Sequence, residues 1–137
     1  MNYKIFVLFF ISFLAFSQET VTLTIQAENL PNKKGNLRMA VFNNPNDFLK
    51  KSEFTCVEPI NKTTKCSFII PKGNYSIAVF HDENMNSDLD KNVLGIPIEA
   101  YGFSNNARPR FRYPRFKEAL ITISESKSIK ISTKTWF

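Results

Sequence analysis

The chain has 137 residues, and 18 Lys and Arg against 12 Asp and Glu give it a formal net charge of +6. Its length suits one domain of about 100–150 residues, which can bury a modest core without metals or several disulfides. A basic excess this small does not by itself predict binding to nucleic acid.

The first 17 residues have the pattern of a secretory signal peptide. Lys4 precedes an apolar run over residues 5–16, which is shorter than the roughly 20 apolar residues of a membrane-spanning helix. Small residues at its end predict cleavage after Ser17, and an uncleaved membrane anchor is the alternative. The sequence therefore predicts an exported protein that is periplasmic, on the outer surface or secreted. It would have one domain at residues 18–137 and no transmembrane segment after cleavage.

Short segments in which apolar and polar residues alternate run through the rest of the chain, separated by turn-forming residues. Residues 75–81 are apolar on both faces, which predicts a central strand covered on both sides. Residues 43–53 predict a loop with one short helical turn, and residues 93–118 predict a long irregular stretch. About seven short strands predict an all-β fold, an immunoglobulin-like or transthyretin-like β-sandwich. The predicted strands are 21–27, 36–42, 54–58, 65–70, 75–81, 119–124 and 128–135.

Two cysteines, Cys56 and Cys66, lie ten positions apart. Export to an oxidising compartment favours a disulfide, formed between two extended arms that a turn brings into register. Such a bond would stabilise the fold by roughly 2–3 kcal/mol. Two buried free thiols are the alternative.

The stretch HDENMNSDLD, residues 81–90, has an oxygen-bearing side chain at every second position. Calcium takes six to eight oxygen ligands, so this spacing predicts a calcium site with a dissociation constant of roughly 10⁻⁴–10⁻³ M. Ser87 and Val93 stand where an EF-hand has glycine and glutamate, so the loop is not an EF-hand. The alternative is a turn in which Asp and Asn side chains cap their own backbone. The candidate metal ligands are Asp82, Asn84, Asn86, Asp88 and Asp90.

The lone histidine, His81, directly precedes Asp82. Adjacent strand residues point to opposite faces, so the two do not form a catalytic pair by themselves. Ser104 would complete a notional Ser, His and Asp set, yet no nucleophile-elbow signature surrounds it. The alternative function is therefore a metal-assisted hydrolase that uses His81 with the carboxylates of residues 82–90.

Residues 108–116, RPRFRYPRF, interleave arginines with aromatic residues. Such a strip could stack on and pair with an anionic polysaccharide, lipid headgroups or nucleic acid, of which nucleic acid is not expected outside the cytoplasm. An envelope protein is a further candidate partner. The alternative is a proline-stiffened surface loop whose arginines stay solvated or pair with the acidic residues of the stretch at residues 81–90, called the acidic loop below. The candidate ligand surface consists of Arg108, Arg110, Arg112 and Arg115.

Two blocks of sequence, YSIAVFHDENMNSDLD at residues 75–90 and YGFSNNA at residues 101–107, are joined by LGIP and Glu99. They resemble the bacterial exported proteins grouped as domain of unknown function 2141, over essentially the whole chain after residue 17. The resemblance implies a signal peptide, a β-sandwich of the kind predicted above and an envelope or extracellular location. It implies no activity, because that family has none assigned. The family usually shows glycine where Ser87 stands, and it lacks the arginine cluster after Ala107.

The expected function is accordingly that of an exported, non-enzymatic β-sandwich that acts as a binding or structural module of the bacterial cell envelope. Calcium bound at the acidic loop is the one cofactor that the sequence suggests.

Overall fold

The computed structural model describes residues 17–60 and 64–136. Residues 1–16 of the predicted signal peptide lie outside these ranges, so the predicted cleavage site stays a prediction. Within the described ranges, no helix is long and apolar enough to cross a membrane.

In the part of the chain that the structure describes, eight strands form two sheets, which confirms the predicted all-β sandwich. One sheet has the order β4-β1-β8, with β1 antiparallel to β4 and parallel to β8. The other has the order β3-β2-β5, and the free side of β5 pairs first with β7 and then with β6. The strands are β1 Thr20–Glu28, β2 Asn36–Phe42, β3 Phe54–Pro59, β4 Lys65–Pro71, β5 Gly73–Asp82, β6 Tyr101–Phe103, β7 Leu120–Ile123 and β8 Lys127–Ser132.

The core between the two sheets consists of the inward-facing residues of their strands. Because strand side chains alternate between faces, every second residue of β1 and β2 is buried. Each aliphatic side chain that is fully buried here contributes about 1.5–3 kcal/mol to the free energy of unfolding. The largest of these buried side chains include Leu23, Ile25, Leu37, Met39, Ile70, Ile77, Ile123 and Ile131.

Strand β5 is covered on both faces, as its two-sided apolar pattern predicts. Ile77 and Val79 face the core between the sheets, whereas Ala78 and Phe80 face a second apolar cluster on the outer side. That cluster contains Tyr101 and Phe103, whose ring centroids lie 5.8 Å apart. The long segment after β5 thus covers the outer face of this sheet.

Strand β6 interrupts the stretch that the sequence predicts to be irregular. It has only three residues, all buried, so it lacks the alternation by which a strand is recognised. A Cβ atom at Gly102 would lie 2.4 Å from the carbonyl oxygen of Ser132. Glycine is therefore required where β6 crosses close to the end of β8.

The predicted disulfide between Cys56 and Cys66 is confirmed, with the two Cα atoms 6.3 Å apart. The expected geometry is wrong, because β3 and β4 are not paired arms around a turn. Strand β3 pairs with β2 in one sheet, and β4 pairs with β1 in the other. The bond consequently ties the two sheets together. It also leaves no thiolate for a metal, although Glu58 lies close to both sulfur atoms.

Candidate functional site

Asp82, at the end of β5, holds the acidic loop to the neighbouring strand. Its buried carboxylate accepts a hydrogen bond from Arg38 Nε of β2 at 2.6 Å. The backbone N–H groups of Asn86 and Ser87 donate to its two oxygens at 3.0 Å each. Burial by itself would raise the pKa of the Asp82 carboxyl, but these hydrogen bonds and the charge of Arg38 lower that pKa below its usual value.

Glu99 closes the loop from the other side. Its buried carboxylate accepts the backbone N–H of Glu83 at 2.8 Å and that of Asp90 at 3.0 Å. One side chain therefore holds the beginning and the end of the loop together through two charge-assisted hydrogen bonds.

The other loop side chains form a hydrogen-bonded network of their own. The side-chain oxygens of Asn84 and Asn86 accept backbone N–H groups two residues further on, at 3.1 and 2.9 Å. Their amide groups donate to the two oxygens of Asp90, at 2.6 and 2.8 Å. Asp88 is exposed, and no described residue is a partner of its side chain. The contacts agree with self-capping of the loop, and calcium binding stays a prediction.

Two residues of the loop have left-handed backbone conformations. Met85 has a φ of 60° and Ser87 a φ of 76°, which costs a non-glycine residue about 1–2 kcal/mol. The glycine that the resemblance implies at position 87 would avoid this cost. Ser87 offsets part of it, because its hydroxyl accepts a hydrogen bond from Arg38 Nη2 at 2.6 Å.

His81 lies on the opposite face of β5 from Asp82 and is fully buried. Its Nε2 donates to the carbonyl oxygen of Lys34 at 2.6 Å. Its Nδ1 has no hydrogen-bond partner among the described residues and lies 3.9 Å from a carboxylate oxygen of Glu83. His81 and Asp82 thus point to opposite faces of β5 and do not form a pair in one pocket, and the hydrolase alternative stays a prediction.

Ser104 is also occupied by structural contacts. Its hydroxyl donates to the carbonyl of Ala119 and accepts the backbone N–H of Ile77 at 2.9 Å. The side chain is buried, so it joins β5 to the residues before β7 and does not face solvent as a nucleophile would.

Two of the four arginines in the candidate ligand surface anchor their own segment. Arg112 binds both carboxylate oxygens of Glu118, at 2.7 and 2.8 Å. These bonds, followed by one from the backbone N–H of Arg115, lower the pKa of Glu118 to about 2. Arg108 donates to the carbonyls of Lys134 and Thr135 and lies 4.9 Å from the Tyr101 ring centroid.

The side chain of Arg110 has no hydrogen-bond or ion-pair partner among the described residues, and it is exposed. Arg108 and Arg112 bind backbone carbonyls and Glu118, and not the acidic loop with which the alternative interpretation paired them. The arginine that binds that loop is Arg38, which sequence reasoning did not single out.

A cleft of about 490 Å³ lies on the outer face of the β5 sheet, between the acidic loop and the loop at residues 43–53. Buried or half-buried aromatic side chains form its floor, and exposed charged side chains form its rim. No local pattern marks the cleft, because its residues come from six separate segments of the chain, at positions 38–42, 49–55, 78–80, 87–91, 101–103 and 113. The floor includes Phe42, Phe80, Tyr101, Phe103 and Tyr113, and the charged rim residues are Lys50, Asp88 and Lys91, with Arg38 beside them.

The electrostatics of the cleft are mildly positive. Lys91 Nζ lies 5.7 Å from the ring centroid of Tyr113, a cation–π geometry, and Lys50 also lines the cleft. Burial raises the pKa of the Tyr101 and Tyr113 hydroxyls, so both remain neutral hydrogen-bonding groups at neutral pH.

No curated protein and no solved structure matches the chain. A family model described as "Uncharacterized protein conserved in bacteria (DUF2141)" matches residues 25–132. The matched range contains strands β2 to β8, the acidic loop, Glu99 and the arginine segment. The chain therefore belongs to the DUF2141 family of uncharacterised bacterial proteins.

Proposed function

We propose that this protein is an exported, non-enzymatic binding module of the bacterial cell envelope, and that its ligand is an anionic polysaccharide. The observation that carries the proposal is the cleft, which combines an aromatic floor with a rim that carries two lysines, Lys50 and Lys91, and one aspartate, Asp88. Its volume lies within the range of about 300–1,000 Å³ that is usual for ligand sites.

The chemistry of the cleft suits a sugar chain with carboxylate or sulfate groups. Aromatic faces such as those of Phe80 and Tyr113 offer apolar contact to the rings of a saccharide, and the tyrosine hydroxyls offer hydrogen bonds. Lys50 and Lys91 offer positive charge at the rim for the acidic groups.

Two observations support export. Residues 1–17 have the composition of a signal peptide, and the disulfide that joins the sheets is of a kind that persists in oxidising compartments. N-terminal sequencing of the protein recovered from the culture medium or periplasm should begin at Gln18. A chain that retains Met1 and sediments with membranes would contradict export as a cleaved protein.

The burial of His81 supports a non-enzymatic role. Its Nε2 is committed to a backbone carbonyl and its ring does not reach solvent, so it is not placed to exchange protons with a substrate.

The ligand proposal is tested by applying the exported protein to an array of acidic and neutral glycans and measuring the affinity of the hits by calorimetry. We expect uronate-rich or sulfated chains to bind and neutral chains to bind less. Lys50→Gln should weaken binding about two- to fivefold, as expected for one exposed ion pair, and Lys50→Glu should weaken it further.

Lys33→Gln is the matched control, because Lys33 is exposed on the turn between β1 and β2 and does not line the cleft. Equal affinity of the Lys50 and Lys33 variants would contradict binding in the cleft. Binding that is lost in Arg110→Ala and retained in Lys50→Glu would assign the ligand to the arginine segment instead.

A second candidate property is a calcium-stabilised acidic loop. It is supported by the convergence of Asn84, Asn86 and Asp90, whose side chains already lie within hydrogen-bond distance of one another. Rotation of the two side-chain amides would turn their oxygens toward the Asp90 carboxylate. A calcium ion bound between these oxygens would then replace the amide N–H groups as the partner of the carboxylate.

Calorimetric titration with calcium should give saturable heat with a dissociation constant of roughly 10⁻⁴–10⁻³ M. Asp90→Asn should abolish that heat, whereas Glu125→Gln, in the exposed turn before β8, should not change it. Asp82→Ala is unsuitable as a test because Asp82 also holds the loop to β2. The absence of heat from the wild type at millimolar calcium would contradict the calcium site.

A further inference from the structure

Two neighbouring loops carry large apolar side chains that point into solvent. Val93 and Leu94, between β5 and β6, have 103% and 78% of their surface exposed, and Phe111 has 86% exposed. Leu94 and Phe111 line one shallow depression together with Trp136, so the two loops stand side by side. These three side chains, Val93, Leu94 and Phe111, are called the apolar apices below.

The first of these loops is a well-ordered turn. Asn92 and Ile96 are joined by a backbone hydrogen bond of 2.8 Å, and the Asn92 side-chain oxygen accepts the N–H groups of Leu94 and Ile96. Gly95 supplies the positive φ of 76° that the turn needs. Turn apices are usually polar, and here Val93 and Leu94 occupy that place.

The second loop holds Phe111 away from the protein in a similar way. Its φ is 61°, which is rare for a bulky residue. Tyr113, two residues later, packs into the outer aromatic cluster instead. The contacts of Arg108 and Arg112 described above fix the segment on either side of Phe111, so the exposed ring belongs to an anchored loop.

The two segments that carry the apolar apices are rich in basic residues, and one of these, Arg112, is paired with Glu118. Residues 91–98 and 107–117, the two segments that carry the apices, contain six basic residues and no acidic residue. Arg110, next to Phe111, is exposed and has no partner among the described residues. A surface that is both apolar and cationic is complementary to the headgroup region of an anionic membrane.

We propose that the apolar apices insert into the interfacial region of an anionic phospholipid bilayer, while Arg110 and Lys91 contact its phosphate groups. Side chains that protrude at two loop ends suit a deformable lipid surface better than a protein partner, whose interface needs roughly 800 Å² of complementary area per side. This membrane contact shares Lys91 with the rim of the cleft, but the apolar apices and Arg110 do not line the cleft, so variants of Lys50 and of the apices distinguish the two proposals.

The test is flotation of the exported protein with vesicles of phosphatidylcholine alone and of phosphatidylcholine mixed with phosphatidylglycerol. We expect binding to the mixed vesicles, weakened by added salt, and little binding to phosphatidylcholine alone. The triple variant Val93→Ser, Leu94→Ser, Phe111→Ser should bind at least about tenfold more weakly, and Arg110→Gln about fivefold more weakly.

Ile69→Ser is the matched apolar control, since Ile69 is 73% exposed on β4 of the other sheet, and Lys33→Gln is the matched charge control. Both should bind like the wild type, and thermal melts of every variant should show that it folds. Trp136, the lone tryptophan, adjoins Leu94 and Phe111, so its emission should shift to the blue on binding.

Absence of wild-type binding to the anionic vesicles would overturn the proposal, as would equal binding by the triple variant. Analytical sedimentation of the protein without lipid is a further test. If the wild type forms dimers and the triple variant does not, a second copy of the chain covers the apolar apices, and this result would also overturn the membrane proposal. Loss of glycan binding in Lys50→Glu with normal flotation would leave the membrane contact intact, so the two proposals fail separately.

Discussion

Asp82 is the residue on which most of the acidic loop depends. Its carboxylate joins Arg38 of β2 to two backbone N–H groups of the loop, and all of these contacts are at the end of the central strand. Arg38 also donates to Ser87, so its ion pair with the buried Asp82 positions one of the two left-handed residues of the loop. The same pattern of Asp and Asn that suggests metal ligands is here used for loop structure.

Replacing Asp82 by alanine should lower the free energy of unfolding by about 2–4 kcal/mol, because Arg38 would lose its carboxylate partner and the N–H groups of Asn86 and Ser87 would each lose a hydrogen bond. Asp88→Ala is the control, since the exposed Asp88 side chain has no partner among the described residues, and it should change stability by less than about 0.5 kcal/mol. Urea unfolding of both variants measures the difference. Equal unfolding midpoints would show that Asp82 does not hold the loop.

The lowered pKa of Asp82 makes this contribution depend on pH. A carboxyl whose pKa is lower in the folded protein than in the unfolded chain stabilises the fold above its usual pKa of about 4, and that stabilisation is lost as the pH falls through the folded pKa. The gap in unfolding free energy between the wild type and Asp82→Asn should therefore be constant near neutral pH and shrink below about pH 4. A gap that does not change in acid would mean that the ionised form is not the stabilising one.

At the scale of the element, Glu99 joins the two ends of the acidic loop. Its first and last backbone N–H groups both bind that one buried carboxylate. The turn before β2 packs closely against the start of the loop, since a Cβ atom at Gly35 would lie 2.1 Å from the carbonyl oxygen of Asp82. The two ends of the loop are thus fixed by residues outside it, whereas residues 84–88 are exposed.

Glu99→Gln should loosen the loop without unfolding the sandwich, because glutamine keeps one acceptor oxygen and turns an N–H group toward the other donor. We expect a loss of about 1–3 kcal/mol and faster hydrogen exchange at the backbone N–H groups of Glu83 and Asp90. Glu125→Gln, in an exposed turn, serves as the control and should leave both rates unchanged. Unchanged exchange in Glu99→Gln would contradict the role of Glu99.

At the scale of the whole molecule, two sheets enclose one core, and the outer aromatic cluster adds a second apolar layer over β5. The disulfide connects β3 of one sheet to β4 of the other, so it restrains how the sheets pack. The cleft and the apolar apices belong to the second layer and not to the sandwich core.

Removing the disulfide by Cys56→Ala and Cys66→Ala together should lower the free energy of unfolding by about 2–3 kcal/mol, the value expected for a short closed loop. Urea unfolding of this double variant, beside the wild type with and without reductant, measures the loss. The reduced wild type should resemble the double variant. If oxidised and reduced protein unfold at the same urea concentration, the bond does not stabilise the sandwich.

The sequence by itself determined the sandwich class, the two-sided burial of β5, the disulfide partners and the family. Alternation of apolar residues is a local property of a strand, so β2 was predicted with its observed bounds, Asn36–Phe42. The cysteines could be paired because the chain has only two. Strand β6 lacked any such local pattern and was missed.

Only the tertiary structure decided which residues meet. The ion pair of Arg38 with Asp82, the closure of the loop by Glu99 and the aromatic cleft each join segments that are far apart in the chain. The arrangement of the disulfide across two sheets has the same origin. Periodicity reports which face of a strand is buried, whereas these contacts depend on how strands and loops pack against each other, which no short stretch of sequence encodes.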